Sequence, residues 1–223
     1  MQSNSAILLG SAIFAGIAVV AGVSYTSWLV LKPRYDVTAE EVDIFTDCLD
    51  GSVAGGTAAI GGPFELTTHE GVRVTDVDVI DKPSLIYFGY TFCPDICPMD
   101  SARNGDAVDL LTERGLDVKP VFITIDPARD DVETVADFVD WIHEDMVGLT
   151  GSAEEIAAVT LAYRAYSAKN GTGEDYLMDH STFSYLVLPE HGFVEYFRNS
   201  ETPEQMADRI GCFVEKAGAE SAA

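Results

Sequence analysis

The chain has 223 residues, which is long enough for one sizeable domain with an appendage. Its net charge of −24, from 37 acidic and 13 basic residues, argues against nucleic acid or an anionic membrane surface as a partner and favours cations. Its 4 cysteines are too few for a small disulfide-built fold, so a hydrophobic core must hold the domain together.

The N-terminal segment is predicted to be a membrane anchor. Residues 6–31 carry no charged side chain, and a helix needs about 20 apolar residues to cross a bilayer. A cleavable signal peptide is the alternative, but its apolar core usually spans only about 7–15 residues, and no clear A-x-A cleavage site follows. We therefore predict an uncleaved transmembrane helix after a short tail at residues 1–5.

The orientation of this helix and the segment after it follow from charge and composition. Lys32 and Arg34 directly follow the span and no basic residue precedes it, so the positive-inside rule alone would keep the domain in the cytoplasm. Long acidic domains cross membranes largely regardless of nearby charge, so an outside location stays open. Residues 32–60 are acidic and then rich in Gly and Ala, which predicts a tether.

Residues 61–217 are predicted to form one α/β domain. Apolar runs bounded by turn residues predict strands at 63–66, 72–74, 85–90, 118–125, 182–188 and 193–197. Helical spacing and capping residues predict helices at 98–114, from about 131 to 142, at 152–165 and at 202–217, before a frayed tail at 218–223. This order predicts a mixed sheet with helices on both faces, a thioredoxin-like arrangement, with its reactive site at the carboxyl end of strand 85–90.

Two cysteines, Cys93 and Cys97, follow that strand, and Pro98 suits the first turn of the next helix. The partial positive charge at a helix N-terminus favours a thiolate, so Cys97 is expected there and at least one sulfur should be reactive or metal-binding. The C-x-x-x-C spacing alone also fits a structural disulfide or two small buried side chains. A soft ion such as Cu(I) or Zn(II) and a disulfide all stay open at this point.

Several segments of the sequence resemble the Sco/SenC family of copper proteins. Residues 89–98, Gly-Tyr-Thr-Phe-Cys-Pro-Asp-Ile-Cys-Pro, are similar to one family signature, and residues 176–181, Tyr-Leu-Met-Asp-His-Ser, to another. Residues 121–130 and 148–152 look like further family blocks. The resemblance runs in the family's order from about residue 61 to 214.

The resemblance implies a thioredoxin-like domain in which Cys93, Cys97 and His180 bind copper. Two thiolates and one imidazole suit Cu(I), Cu(II) with a further ligand, and Zn(II), so the choice of copper depends on the resemblance. His180 precedes strand 182–188, near the place where a thioredoxin carries a cis-proline. An imidazole there favours metal ligation over thiol exchange.

The function implied by the resemblance is a membrane-anchored copper metallochaperone rather than an enzyme. It would help to assemble the dinuclear copper centre of cytochrome c oxidase, with the copper-bearing oxidase subunit as its partner and other copper chaperones or thioredoxin-like reductants as further partners. The family implies a single-pass protein of the inner membrane with its domain in the periplasm, or in the intermembrane space if the source is mitochondrial. A thiol-disulfide reductase acting on the oxidase subunit, or a copper or redox sensor, is the alternative.

The remaining histidines and two methionines have weaker claims on the site. His69 and His191 fall in predicted turns, and His143 falls near the end of a predicted helix, so we expect turn or surface residues. Met99 and Met178 flank the site and are expected to be apolar filling around it.

Several charged residues lie near the motifs. Asp179 is a candidate for orienting the His180 ring, although neighbouring side chains of an extended segment point to opposite faces. Asp95 either increases the electron density of the cysteines or faces solvent. Asp126, Arg129 and Asp130 belong to a family block and are expected to cap a loop.

Cys48 and Cys212 lie outside the motifs. In an oxidising compartment such a leftover pair could form a disulfide that pins the tether onto the domain. Two free thiols are the alternative.

Overall fold

The computed structural model describes residues 44–49 and 57–221. Within these ranges, no helix combines the length and the apolar character that crossing a membrane requires. The predicted tail and membrane span at residues 1–31, and most of the predicted tether, lie outside the described residues.

The strands form one seven-stranded mixed sheet and a separate two-stranded ribbon. They are β1 Glu65–Thr68, β2 Arg73–Thr75, β3 Ser84–Gly89, β4 Lys119–Thr124, β5 Val147–Thr150, β6 Ser167–Asn170, β7 Leu177–His180, β8 Ser184–Leu188 and β9 Gly192–Phe197. The sheet order is β2-β1-β5-β4-β3-β8-β9, and β6 pairs only with β7. Strands β3, β4 and β5 are parallel, whereas β1, β8 and β9 join by antiparallel pairing.

Helices cover both faces of this sheet, as the sequence predicts. They are α1 Asp76–Val79, α2 Ile96–Glu113, α3 Val132–Ile142, α4 Ala153–Ala162 and α5 Pro203–Ser221, with short 3₁₀ turns at Thr46–Cys48 and Thr57–Ala59. On one face, Phe138 of α3 lies 4.7 Å from Phe122 of β4 between ring centroids. On the other face, Tyr163 at the end of α4 lies 5.4 Å from Phe88 of β3. Phe122 pairs with Tyr87, and successive strand residues point to opposite faces, so these two contacts lie on opposite sides.

The central strand β3 is buried along its whole length and ends at Gly89, where the cysteine loop begins. Asp131 caps α3 with its side chain, and Ser152 and Glu155 form a capping box at the start of α4. These three features agree with the prediction. Together they fix the elements that carry the site.

Several parts of the fold differ from the prediction, which contained neither α1 nor the ribbon of β6 and β7. Helix α2 begins at Ile96 rather than Pro98, and α5 continues to Ser221, beyond the predicted end at residue 217. Strand β5 was not predicted. It is short and contains Gly148, where an added Cβ would lie 2.5 Å from Val135 and 2.9 Å from Val139. The close approach of α3 therefore requires a residue that weakens the sequence signal for a strand.

Of the two alternatives for Cys48 and Cys212, the disulfide is present, and it ties the N-terminal 3₁₀ turn to α5. Its two Cα atoms are 5.7 Å apart, and the two cysteines are separated by 164 positions in sequence. Beside it, Phe45 is buried, with ring centroids 5.3 Å from Phe213 and 5.1 Å from His191. The segment thereby joins the core cluster between α2, α5 and strands β8 and β9.

We expect Cys212→Ser to lower the free energy of unfolding by about 2–4 kcal/mol. A disulfide that closes so long a loop restricts the unfolded chain, and its loss restores that entropy. Guanidinium chloride unfolding of the oxidised protein measures the effect. The parent protein in excess reductant is the control and should unfold like the variant; equal midpoints for the oxidised parent and the variant would contradict the prediction.

Candidate metal centre

The first half of the site is the loop between β3 and α2, which carries Cys93. The Cys93 amide donates to the carbonyl of Tyr90 at 3.3 Å and closes a tight turn. Thr91 donates to the Asp130 carboxylate from its amide at 3.0 Å and from its hydroxyl at 2.6 Å. Asp130 is fully buried and also accepts from the hydroxyl of Thr124 at the end of β4. The expected loop-capping role is therefore confirmed for Asp130, which anchors the cysteine loop to the neighbouring strand.

The second half of the site is His180, the last residue of β7. Its Nε2 lies 3.3 Å from Cys97 Sγ, and its Nδ1 lies 2.8 Å from the carbonyl oxygen of Ser181. A carbonyl oxygen only accepts hydrogen bonds, so Nδ1 donates to it, and this bond directs Nε2 towards the sulfurs. The rings of Tyr87 and Tyr90 stand edge-on to the imidazole, with centroids at 6.2 and 5.9 Å. The ring is therefore oriented before any ion binds.

The three predicted ligands come together. Sulfur atoms of Cys93 and Cys97 and a ring nitrogen of His180 all lie within 4.8 Å of one another. Ligands about 2.0–2.3 Å from a shared ion stand roughly 3.5–4 Å apart in a trigonal arrangement, so a small adjustment brings this group onto one ion. Cys97 is fully buried, whereas Cys93 and His180 are half-buried. A soft metal ion fits this set of donors.

The two cysteines differ in protonation. The hydrogen bond from Cys97, followed by contacts with His180 and the amides of Asp95 and Cys97, lowers the pKa of Cys93 to about 3 against the opposing effect of burial. The same hydrogen bond and burial raise the pKa of Cys97 above its ordinary value. The metal-free pair is therefore a Cys93 thiolate beside a Cys97 thiol.

The helix N-terminus acts on a different sulfur from the one expected. The Cys97 amide, in the first turn of α2, donates to Cys93 Sγ at 3.3 Å. The partial positive charge of the helix thus stabilises the thiolate of Cys93 and not that of Cys97 itself. The spacing of the pair is visible in the sequence, but the direction of this contact is not.

Sequence analysis missed the residues that shape the space around the ligands. Tyr87 and Gly89 share the face of β3 that meets α2, and a Cβ at Gly89 would lie 3.2 Å from Cys97 Sγ. Tyr87 also donates to Asp100 at 3.1 Å. The period-two alternation of a strand could have placed both on the site's face. No local signal marked the Ser181 carbonyl as the partner of His180.

The structure decides the roles of the nearby acids and methionines. Asp179 is exposed and accepts from the Asn170 side chain at 3.1 Å, so the candidate role in orienting His180 is wrong. Asp95 is exposed, which favours the solvent-facing alternative. Met178 packs against the core, as expected, but Met99 is 63% exposed and is not apolar filling.

The other histidines lie away from the site, yet none is simply solvated. His143 Nε2 donates to the Asp109 carboxylate at 3.2 Å, and only 10% of the His143 side chain is exposed. His69 accepts from the Gly148 amide at 3.1 Å, and His191 is buried against Phe45. His69 and His191 lie in turns, as expected. Each of the three histidines also helps to join two segments of the fold, so the expectation of solvated or surface side chains is wrong.

The domain is thioredoxin-like, with two cysteines just after its central strand and a histidine that β7 brings beside them. These features define a class of thiol proteins that can hold a soft metal ion. The SCO1/SenC family model matches residues 53–215. Protein SenC of Rhodobacter capsulatus is 50% identical over 176 residues, which cover 78% of this chain and 79% of that protein. The chain belongs to the SCO1/SenC family.

Solved structures agree with this membership. Arabidopsis thaliana ScoI with copper bound has a TM-score of 0.67 and 42% identity, over 72% of this chain and 99% of that one. BsSco, described as a member of the Sco family of cytochrome c oxidase assembly proteins, has a TM-score of 0.59 and 26% identity, over 71% and 94%. The chain spans about half the length of the mitochondrial SCO1 homologues of Arabidopsis thaliana and Homo sapiens, 48% and 53%.

We expect iodoacetamide to modify Cys93 selectively in the reduced, metal-free protein. Because the pKa of Cys93 is lowered to about 3, its thiolate persists from about pH 8 down to pH 5, whereas an ordinary thiol with a pKa of about 8.5 loses reactivity tenfold per pH unit. Peptide mass spectrometry at a series of pH values measures both rates.

Cys97→Ala is the matched variant for this measurement. It removes the hydrogen-bond donor, so the pKa of Cys93 should rise and its alkylation at pH 5 should slow. A Cys93 rate that climbs tenfold per unit between pH 6 and 8 in the parent would show an ordinary thiol and contradict the prediction.

Proposed function

We propose that the protein is a metallochaperone that carries one copper ion on Cys93, Cys97 and His180 and helps to assemble the dinuclear copper centre of cytochrome c oxidase. The convergence of these three donors from two distant segments is the observation that carries the proposal. Copper, rather than zinc, is supported by the copper-bound ScoI structure, because the donor set alone suits both ions. BsSco is described as a member of a family of cytochrome c oxidase assembly proteins, which supports the oxidase as the recipient of the copper ion.

The geometry suggests how the ion would leave. Cys97 lies at the bottom of the site, while Cys93 and His180 are reachable from solvent. Donor atoms of the copper-bearing oxidase subunit would therefore displace these two ligands first and Cys97 last. The site must be reduced to bind copper, since a Cys93–Cys97 disulfide offers no thiolate.

The proposal includes a location. Residues 6–31 would anchor the chain in the inner membrane as a single span, residues 32–60 would form the tether, and residues 61–217 the copper-binding domain. The Cys48–Cys212 disulfide supports a periplasmic domain, or one in the intermembrane space if the source is mitochondrial, because disulfides persist in oxidising compartments.

A thiol-disulfide reductase is the second candidate, and one observation favours it. An accessible low-pKa thiolate, Cys93, next to a buried thiol, Cys97, is the arrangement of an attacking and a resolving cysteine. Such an enzyme needs both cysteines but not His180. The metallochaperone needs all three residues.

We expect the full-length chain, reduced and held in mild detergent, to bind one copper per chain, and His180→Ala to weaken binding by more than about 100-fold. Loss of a ligand should exceed the 10–100-fold cost of removing an outer partner of a ligand. Competition with a copper chelator gives the affinity, and the nitrogen splitting in the Cu(II) electron paramagnetic resonance spectrum reports the imidazole.

His69→Ala is the matched control, because His69 is also half-buried and hydrogen-bonded but lies outside the site. It should bind copper like the parent. Unchanged affinity and nitrogen splitting in His180→Ala would reject the ligand set. Full reduction of a disulfide peptide by His180→Ala, together with normal oxidase assembly in cells that carry it, would favour the reductase.

A further inference from the structure

The ribbon of β6 and β7 brings His180 to the site without being part of the main sheet. A strand within a sheet is fixed by its ladder of backbone hydrogen bonds, but this ribbon pairs only with itself. Among the described residues, its ends are joined by bonds between Tyr166 and Ser181, which close the ribbon and do not attach it to the domain. Side chains of the domain must therefore hold the third ligand in place.

Arg129 supplies one of these attachments. Its Nη1 donates to the carbonyl oxygens of Tyr176 at 3.0 Å and Glu174 at 3.3 Å, in the segment that leads into β7. Its guanidinium carbon lies 3.6 Å from the Tyr176 ring centroid, a close cation-π contact. One arginine thus holds both the backbone and a side chain of the loop that joins β6 to β7.

Asp126 and Tyr176 fix the position of the Arg129 side chain. Its Nε donates to the Asp126 carboxylate at 2.6 Å, and the other oxygen of Asp126 accepts from the Tyr176 hydroxyl at 2.6 Å. The side chains of Arg129 and Asp126 are only 14% and 5% exposed, so water screens this ion pair little. Arg129, Asp126 and Tyr176 form a closed ring of contacts, which we call the Arg129 bracket.

The bracket also touches the cysteine side of the site. The Arg129 guanidinium lies 4.6 Å from the ring of Phe92, the residue before Cys93, and 5.9 Å from the ring of Tyr90. The next residue, Asp130, holds Thr91 of the same loop. The turn after β4 therefore contacts both segments that carry ligands.

We propose that Arg129 is a positioning residue that holds the His180 ribbon against the cysteine loop and so sets how long His180 stays on a bound copper ion. Arg129 cannot be a ligand, because a guanidinium is cationic and has no free acceptor atom. It acts through the ribbon. The inference depends on the proposed copper-binding function only for its second consequence, the rate of copper release.

The first consequence concerns the metal-free protein. In Arg129→Met, amide hydrogen exchange across residues 167–180 should be about 10-fold faster or more, because opening of the ribbon no longer breaks the bracket. Exchange in β3 and β4 should stay within about twofold of the parent, since the bracket does not pair with the sheet. Exchange of the full chain, followed by mass spectrometry, measures both regions.

The second consequence concerns the copper-loaded protein. Loss of an outer partner of a metal ligand typically changes metal binding by about 10–100-fold. Removal of Cu(I) from Arg129→Met by excess bicinchoninate should therefore be at least about 10-fold faster than from the parent. The nitrogen splitting of the Cu(II) form should weaken as His180 spends less time on the ion.

Arg73→Met is the matched control. Arg73 also makes ion pairs between elements, to Glu65 and Glu155, but it lies at the β1–β2 edge of the sheet. It should leave ribbon exchange and copper release unchanged. Arg129→Lys keeps the charge facing Asp126 but loses the planar fork, so it should fold and show a smaller change in the same direction.

The outcomes of these experiments distinguish the proposed copper-binding function from the positioning role of Arg129. If the parent does not bind copper, the proposed function fails, while hydrogen exchange still tests the bracket. If the parent binds copper and ribbon exchange in Arg129→Met matches the parent, the positioning role is wrong. If Arg129→Met does not fold, Arg129→Lys decides: faster exchange confined to the ribbon supports the role, and unchanged ribbon exchange overturns it.

Discussion

The contact between Cys97 Sγ and His180 Nε2 is the constraint on which the site depends. At 3.3 Å it joins the N-terminus of α2 to the end of β7, two segments separated by 83 positions in sequence. Several neighbouring groups support this contact. Gly89 leaves room for the sulfur, the tyrosine rings border the imidazole, and the Ser181 carbonyl fixes the orientation of its ring.

The site combines a rigid residue, Cys97, with a residue on a separately attached ribbon, His180. Cys97 is buried on a helix that packs against the sheet, so it has little freedom to move. His180 lies on a ribbon that the main sheet does not include, and side chains from the turn after β4 attach it. The proposed metallochaperone would hold an ion and then give it up, and one fixed ligand with one that can leave suits that role.

A disulfide stabilises another part of the domain. The Cys48–Cys212 disulfide and the buried Phe45 close the core cluster on α5, whereas the two site cysteines are free thiols. The chain thus keeps one cysteine pair oxidised and the other available in the same fold. The difference is consistent with burial and packing around the first pair and with a stabilised thiolate in the second.

Features that depend on neighbouring residues could be predicted from the amino-acid sequence alone. The apolar run of β3, the caps of α3 and α4, and the spacing of Cys93 and Cys97 are local patterns, and each agrees with the structure. The resemblance of residues 176–181 to a family signature singled out His180, which no spacing rule would have found. The alternating order of strands and helices was enough to predict a mixed sheet covered on both faces.

The partner of each polar group could be identified only in the folded domain. The Cys97 amide stabilises Cys93, the Ser181 carbonyl rather than Asp179 orients His180, and Arg129 reaches the ribbon instead of only capping its own turn. Strand β5 was hidden because packing of α3 requires a glycine in it. Hydrogen bonds and close packing join atoms that are distant in sequence, and a linear pattern carries no record of the distances between them.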